Sequence, residues 1–109
     1  MGASKNDFFT KEQNRSAILF KALAHPARVA IIQYIIKSGS CICNDLVGAL
    51  PLSQATVSQH LRELKAADVI KGTIEGNSIC YCLNEKTIDL INEILNGFLL
   101  QNRGINKCC

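Results

Sequence analysis

The chain has 109 residues, of which 48% are hydrophobic, and it carries six cysteines and a formal net charge of +3. This length and composition predict one domain whose core does not depend on disulfides. No apolar run reaches the ~20 residues of a membrane span, and residues 1–10 lack the layout of a secretory signal, so we expect a cytoplasmic protein with no membrane partner. The mildly basic balance is compatible with a polyanionic partner without establishing one.

The first two helices are predicted by their end signals. After a loose leader at residues 1–9, Thr10 and Gln13 have the spacing of a capping box, and Pro26 ends the first helix and opens the second, with His25 as its cap. Gly39 ends the second helix. The apolar residues of the second helix form a set too broad for a surface stripe and are expected to be its buried positions: Val29, Ile31, Ile32, Ile35 and Ile36.

A short third helix and a longer fourth one follow. Asn44 is the expected N-cap of the third helix, which Pro51 ends. Ser53 is the expected N-cap of the fourth helix, which reaches about Ala67.

The rest of the chain completes a winged helix-turn-helix. A β-hairpin is predicted with its turn at Glu75-Gly76-Asn77, and a last helix from about Glu85 to Gln101. The fold class is therefore mainly α with a small β-hairpin, in the order α-α-α-α-β-β-α, with a short extra strand before the third helix as an option. Residues 10–101 form this domain, and residues 102–109 form a cysteine-containing tail.

The fourth helix has an outer face suited to reading DNA. Winding at about 100° per residue puts Val57, Leu61 and Leu64 on the inner face and leaves Gln59 and Arg62 outside. The major groove admits a helix with a slim outer face, and Gln and Arg can form paired hydrogen bonds with adenine and guanine edges. The expected DNA contacts, with hydroxyls on phosphates and two residues from the hairpin, are Ser53, Gln54, Ala55, Thr56, Ser58, Gln59, Arg62, Lys71 and Asn77.

Three segments are similar to the ArsR/SmtB family of metal-responsive repressors. They are Leu-Ala-His-Pro-Ala-Arg at 23–28, Leu-Ser-Gln-Ala-Thr-Val-Ser-Gln-His-Leu at 52–61, and Glu-Gly-Asn leading into Cys-Tyr-Cys-Leu at 75–83. The resemblance covers about 20–83 and is most specific in the fourth helix. It implies a winged-helix homodimer that represses its operon until an inducer binds. Separately, the sequence shows no nucleophile with a positioned base, no carboxylate pair and no phosphate loop, so we do not expect an enzyme.

The last helix gives a local reason to expect the dimer. It carries more apolar surface than one terminal helix of a small monomer can cover. The expected interface residues are Ile88, Ile91, Ile94, Leu95 and Phe98. Two-fold symmetry then predicts double-stranded operator DNA with an inverted repeat.

The cysteines form three close pairs, which are suited to a joint grip on one soft ion. Thiolates select As(III), Sb(III), Cu(I), Cd(II) or Zn(II) over harder cations, and the resemblance favours As(III) or Sb(III) as the inducer. No cofactor is expected for DNA binding itself. The candidate ligands are Cys41, Cys43, Cys80, Cys82, Cys108 and Cys109.

The winged fold predicts where two of these pairs meet. The short strand before the third helix lies beside the second wing strand, so 41–43 should neighbour 80–82 and bring four thiols together. Alternation makes Ile79, Tyr81 and Leu83 the inward set of the wing strand and leaves Cys80 and Cys82 outward. The arsenic-responsive relatives carry a Cys-x-Cys motif before an Asp-Leu step, but here both cysteines fall one residue earlier and a third cysteine position of that motif is unfilled.

Other functions remain open at this point. The same thiols could sense oxidants or persulfides, or the protein could be a thiol-based metal buffer. The tail pair could equally have no role. A zinc site on the last helix is disfavoured because the two histidines, His25 and His60, precede it, with His60 expected at the edge of the core.

Overall fold

The computed structural model describes residues 8–39, 41–42, 46–76 and 78–103. Within them the chain forms five helices and one two-stranded antiparallel sheet. The elements in chain order are α1 (Lys11–Leu23), α2 (Pro26–Ser38), α3 (Leu46–Ala49), α4 (Gln54–Ala66), β1 (Ile70–Glu75), β2 (Ser78–Leu83) and α5 (Glu85–Arg103). This order confirms the predicted winged helix-turn-helix. Asn44, most of the leader and most of the tail lie outside the described residues.

The helix ends follow the local signals in the sequence. The Thr10 hydroxyl accepts from the Gln13 N–H at 3.0 Å, and the Gln13 side chain accepts from the Thr10 N–H at 2.9 Å. His25 caps α2 through Nδ1, which accepts from the Ala27 N–H at 3.0 Å. Gly39 takes the left-handed conformation, with φ 70°, at the end of α2. These capping predictions are confirmed.

The burial of α2 differs from the prediction. Ile31 and Ile35 are buried, but Val29 and Ile36 are exposed. Residues four apart share a helix face, so the core covers the face of Ile31 and Ile35, while Val29 and Ile36, seven apart, lie on another face. A broadly apolar helix is therefore covered by the described chain on one side only.

One hydrophobic core joins residues from α1, α2, α4, β1 and α5. Leu64 is 0% exposed and lies at its centre together with Leu61 and Val57 of the same helix. Phe20 of α1 contacts Phe98 of α5, with ring centroids 6.0 Å apart. The core holds the inner face of α4 against α2 and β1, as predicted from its periodicity.

The sheet is a hairpin with a third strand at a single position. β1 pairs with β2 from Ile70 opposite Leu83 to Glu75 opposite Ser78. Ile42 pairs with Tyr81 through two backbone hydrogen bonds of 2.7 and 2.9 Å, which supplies the predicted short strand before α3 as an isolated bridge.

As for membrane spans, no single helix in the described part of the chain is long and apolar enough to cross a bilayer. The pair α1 and α2, bent by 86°, meets that test of length and composition only when the two are taken together.

Replacing the central leucine should destabilise the domain. Leu64→Ala leaves a cavity in a fully buried site and is expected to lower the free energy of unfolding by about 2–5 kcal/mol, measured by urea denaturation followed by circular dichroism. Ile74→Ala is the matched control, because Ile74 is 82% exposed, and it should change the stability by less than about 0.5 kcal/mol. Equal losses in the two variants would contradict this assignment of the core.

Candidate DNA-binding face and thiol pair

The outer face of α4 is open to solvent along its length. Gln54, Ala55, Gln59 and Arg62 are exposed, and the inner face is buried in the core. Ser58 is half-buried at the side of the helix. The described chain therefore leaves a slim polar helix face with one guanidinium uncovered, which is the shape and chemistry that major-groove reading requires.

The N-terminus of α4 is held by Ser53 and Thr56, two of the three hydroxyl residues expected to contact phosphates. The Ser53 hydroxyl accepts from the Thr56 N–H at 3.2 Å and donates to the Thr56 hydroxyl at 3.0 Å. Ser53 is exposed and Thr56 half-buried. Unpaired N–H groups and the helix dipole favour an anion at this end of a helix.

The hairpin supplies fewer polar groups to this face. Lys71 is exposed on β1, and Asn77 lies outside the described residues. Near the turn, Ile74 and Ile79 are exposed and lie opposite each other across the two strands. Gly76 takes the left-handed conformation in the turn, with φ 62°.

The bridge at Ile42 brings two of the predicted cysteines together. Because Ile42 lies opposite Tyr81, Cys41 is placed opposite Cys82, with Cα atoms 4.4 Å apart. The two form a disulfide. The bond joins two different cysteine pairs and not the members of one, and it agrees with the predicted neighbourhood of the two strands.

The prediction that Ile79 of β2 is buried and Cys80 exposed is wrong. Tyr81 and Leu83 pack against the core as predicted, but Ile79 is 47% exposed and Cys80 only 2%. Ile79 lies near the hairpin turn, beyond the core. Cys80 lies on the opposite face of the strand from Tyr81. Its Sγ is 3.6 Å from Oε2 of Glu75, and Cys80 is also disulfide-bonded.

The remaining predicted ligands are not placed. Cys43, Cys108 and Cys109 lie outside the described residues. Within the described ranges no group of three or more His, Cys, Asp or Glu side chains is arranged to hold a metal ion.

Sequence reasoning missed one polar contact that bears on α4. Arg28 donates through Nε to Nδ1 of His60 at 3.1 Å and through Nη1 to the Ala22 carbonyl at 3.2 Å. The His25 and His60 rings are 4.3 Å apart. The sequence places Arg28 and His60 32 residues apart, and no local pattern signals such a contact.

The fold and this exposed helix define a winged helix-turn-helix regulator. The family model described as "Bacterial regulatory protein, arsR family" matches residues 25–71. The "HTH-type transcriptional repressor SmtB" of Mycobacterium tuberculosis (strain ATCC 25618 / H37Rv) is 45% identical over 65 residues, which are 60% of this chain and 47% of the repressor. The chain thus spans about half the length of that relative.

A second relative is matched over most of its length. The "Arsenical resistance operon repressor" of Staphylococcus xylosus is 31% identical over 86 residues, 79% of this chain and 82% of that one. HlyU from Vibrio cholerae N16961 shares the fold, with a TM-score of 0.68 at 24% identity over 83% of this chain and 97% of its own. The chain belongs to the ArsR family of bacterial regulatory proteins. Its named relatives are transcriptional regulators and not enzymes, as expected.

The disulfide should contribute measurably to stability. It closes a loop across a sequence separation of 41, so reduction is expected to lower the free energy of unfolding by about 4 kcal/mol. Because dithiothreitol also reduces the bond of Cys80, urea denaturation of the oxidised wild type and of the Cys41→Ser variant measures the contribution of the Cys41–Cys82 bond.

Mass spectrometry of a non-reducing digest, with fragmentation of the linked peptides, should assign the bond to Cys41 and Cys82. The Cys41→Ser variant should lack that link. An unfolding curve that does not respond to reductant in the wild type would contradict the expectation.

Proposed function

We propose that this chain is a DNA-binding transcriptional repressor that acts in the cytoplasm as a homodimer on an inverted-repeat operator. The observation that carries the proposal is the outer face of α4, which is exposed and polar while the inner face is buried. Family membership supports the same conclusion, because the relatives matched above are named as repressors.

The proposed dimer uses the apolar surface of α5. Leu95 and Phe98 are exposed, and Phe98 and Ile94 line an open cleft of about 440 Å³ between α1 and α5. Ile88 and Ile94 are half-buried, and Ile91 already packs in the core of its own chain. In the proposed interface the exposed side chains of Leu95 and Phe98 therefore supply the contact. To read an inverted repeat, the two α4 helices of this dimer would have to lie about 34 Å apart, one turn of DNA.

Removing the guanidinium of α4 should weaken specific DNA binding. The test uses an inverted repeat selected from random duplexes by the wild-type protein. Arg62→Ala is expected to lower the affinity for this duplex about 10- to 100-fold, since a paired contact to a base contributes ~1–3 kcal/mol. Fluorescence anisotropy at fixed salt measures the affinity. Arg15→Ala removes the same charge from the exposed surface of α1 and should change affinity less than about threefold.

Wild-type affinity should also fall steeply as salt rises, because phosphate contacts release counterions. An affinity that does not depend on salt, or that is equal for selected and scrambled duplexes, would contradict the proposal.

We further propose As(III) or Sb(III) as the inducer. Reduction of the Cys41–Cys82 bond leaves two thiols on adjacent strands, and arsenite, As(OH)3, forms As–S bonds with three thiols and releases three water molecules. Cys41 and Cys82 would supply two of the sulfurs, and another cysteine of the chain the third. The named function of the Staphylococcus xylosus relative supports this choice. Capture of the ion would shift the strand before α3 and the wing relative to α4.

The disulfide itself supports a second candidate, a thiol-redox repressor. Formation of the Cys41–Cys82 bond removes two electrons and two protons from the thiols. Hydrogen peroxide can accept them and become two water molecules. In this case the oxidised protein, with its wing tied to the strand before α3, is the form that leaves DNA.

A single titration separates these candidates. Reduced protein bound to the selected duplex is treated with arsenite, with hydrogen peroxide, or with neither. The arsenite proposal predicts release by arsenite, about 5- to 150-fold in affinity, and loss of that release in Cys41→Ser. The redox candidate predicts release by peroxide alone and its reversal by dithiothreitol. Tight arsenite binding by a protein without salt-dependent DNA affinity would indicate a metal buffer instead.

A further inference from the structure

The hydrogen bond between Arg28 and His60 joins the start of α2 to the middle of α4. His60 lies one residue after Gln59, on the side of α4 that turns towards α2, and it is half-buried. Its Nδ1 accepts from Nε of Arg28 at 3.1 Å. A neutral imidazole that accepts at Nδ1 carries its proton at Nε2, so this contact requires the neutral form of His60.

Arg28 also contacts α1. Its Nη1 donates at 3.2 Å to the carbonyl of Ala22, which lies in the last turn of α1, where carbonyls lack a partner within the helix. One guanidinium thus joins the end of α1, the first turn of α2 and the side of α4. Planar, rigid donors such as those of arginine are well suited to hold three elements in one arrangement.

The charges around His60 oppose its protonation. Burial, followed by His25 and Arg28, lowers the pKa of His60 from its ordinary value of 6.5, and Glu63 acts in the opposite direction. Lys21 of α1 lines the same cleft as Arg28, His25 and Glu63 and adds another positive charge there. At pH 7.5 His60 is therefore neutral and able to accept.

We propose that Arg28 and His60 are positioning residues for the DNA-reading helix, and that protonation of His60 releases α4 from α2 and weakens DNA binding. Protonation places a hydrogen on Nδ1, which removes the acceptor and turns the contact with the guanidinium into a repulsion. Folding and the Arg28–His60 hydrogen bond favour the neutral form of His60. The contribution of this bond to holding α4 against α2 is therefore complete above pH 6.5, the ordinary pKa of histidine. It is lost as the pH falls through the lowered pKa.

This inference rests on the proposed DNA-binding function, and its sign sets it apart from a general charge effect. An added positive charge near a polyanion tightens binding as the pH falls. Loss of the Arg28 contact predicts the opposite, with affinity of the wild type for the selected duplex falling roughly tenfold between pH 7.5 and pH 5.5. Fluorescence anisotropy across this range gives the profile.

Three variants make the test specific. His60→Asn places Oδ1 near the position of Nδ1 and cannot be protonated there, so it should bind like the wild type at pH 7.5 and lose the pH dependence. His60→Leu removes the acceptor and should bind about tenfold more weakly at both pH values. His25→Asn keeps the helix cap, because asparagine also caps helices, and removes a charge that lowers the pKa of His60. It should keep the direction of the wild-type profile and shift the profile towards higher pH.

Hydrogen exchange supplies a readout that does not involve DNA. After correction for intrinsic rates, amides of α4 should exchange faster at pH 5.5 than at pH 7.5 in the wild type and in His25→Asn, but not in His60→Asn. The inference is overturned by wild-type exchange in α4 that is indifferent to pH, by a pH profile of His60→Asn that matches the wild type, or by DNA binding that tightens on acidification.

A wild type that binds no duplex at any pH would refute the proposed function. The hydrogen exchange result would then still decide whether His60 holds α4.

Discussion

The inner face of α4 is buried against α2 and β1, and this packing fixes the direction in which the other face points. Val57, Leu61 and Leu64 occupy the core, so Gln59 and Arg62 can only lie outside it. The same helix is held at its N-terminus by Ser53 and at its side by the hydrogen bond from Arg28. A helix that reads DNA must present its side chains in a fixed orientation, and the apolar contacts supply most of that constraint.

The bridge between Ile42 and Tyr81 is the corresponding constraint for the thiols. Two short backbone hydrogen bonds set the register, and the register places Cys41 opposite Cys82. Cross-strand neighbours lie within bonding distance of a disulfide or of a shared soft ion. The single backbone pairing of Ile42 with Tyr81 therefore determines which sulfurs can react with each other. It also joins the strand before α3 to the wing.

The sequence predicted most of the fold because the signals that end helices are local. The capping box of Thr10, the cap of Ser53 and the left-handed Gly39 each depend on residues within one helical turn, and each is present in the structure. The face of α4 was predictable for a related reason: its polar and apolar residues alternate with the helical period.

Features that depend on distant parts of the chain were predicted less well. Alternation along β2 indicated which face Cys80 occupies but not what covers that face, and the side chain is buried. Val29 and Ile36 have apolar side chains like those of the buried Ile31 and Ile35, so composition could not show that the core reaches only one side of α2. The contact between Arg28 and His60 spans two helices, and no pattern in a single segment encodes it. To predict that Cys41 pairs with Cys82, one must know which residues of the two strands lie opposite each other. The winged fold indicated only that residues 41–43 lie beside residues 80–82.

The position of the Cys41–Cys82 bond along the chain has a consequence for motion. The segment between the two sulfurs contains α3, α4, β1 and all of β2 except Leu83, so in the oxidised protein these elements form a covalent macrocycle. α1, α2 and α5 lie outside this ring and can separate from it without breaking the bond. Oxidation thus places the exposed polar face of α4 on a covalent ring, while α2 and α5 are each joined to that ring by one stretch of chain and by the shared core.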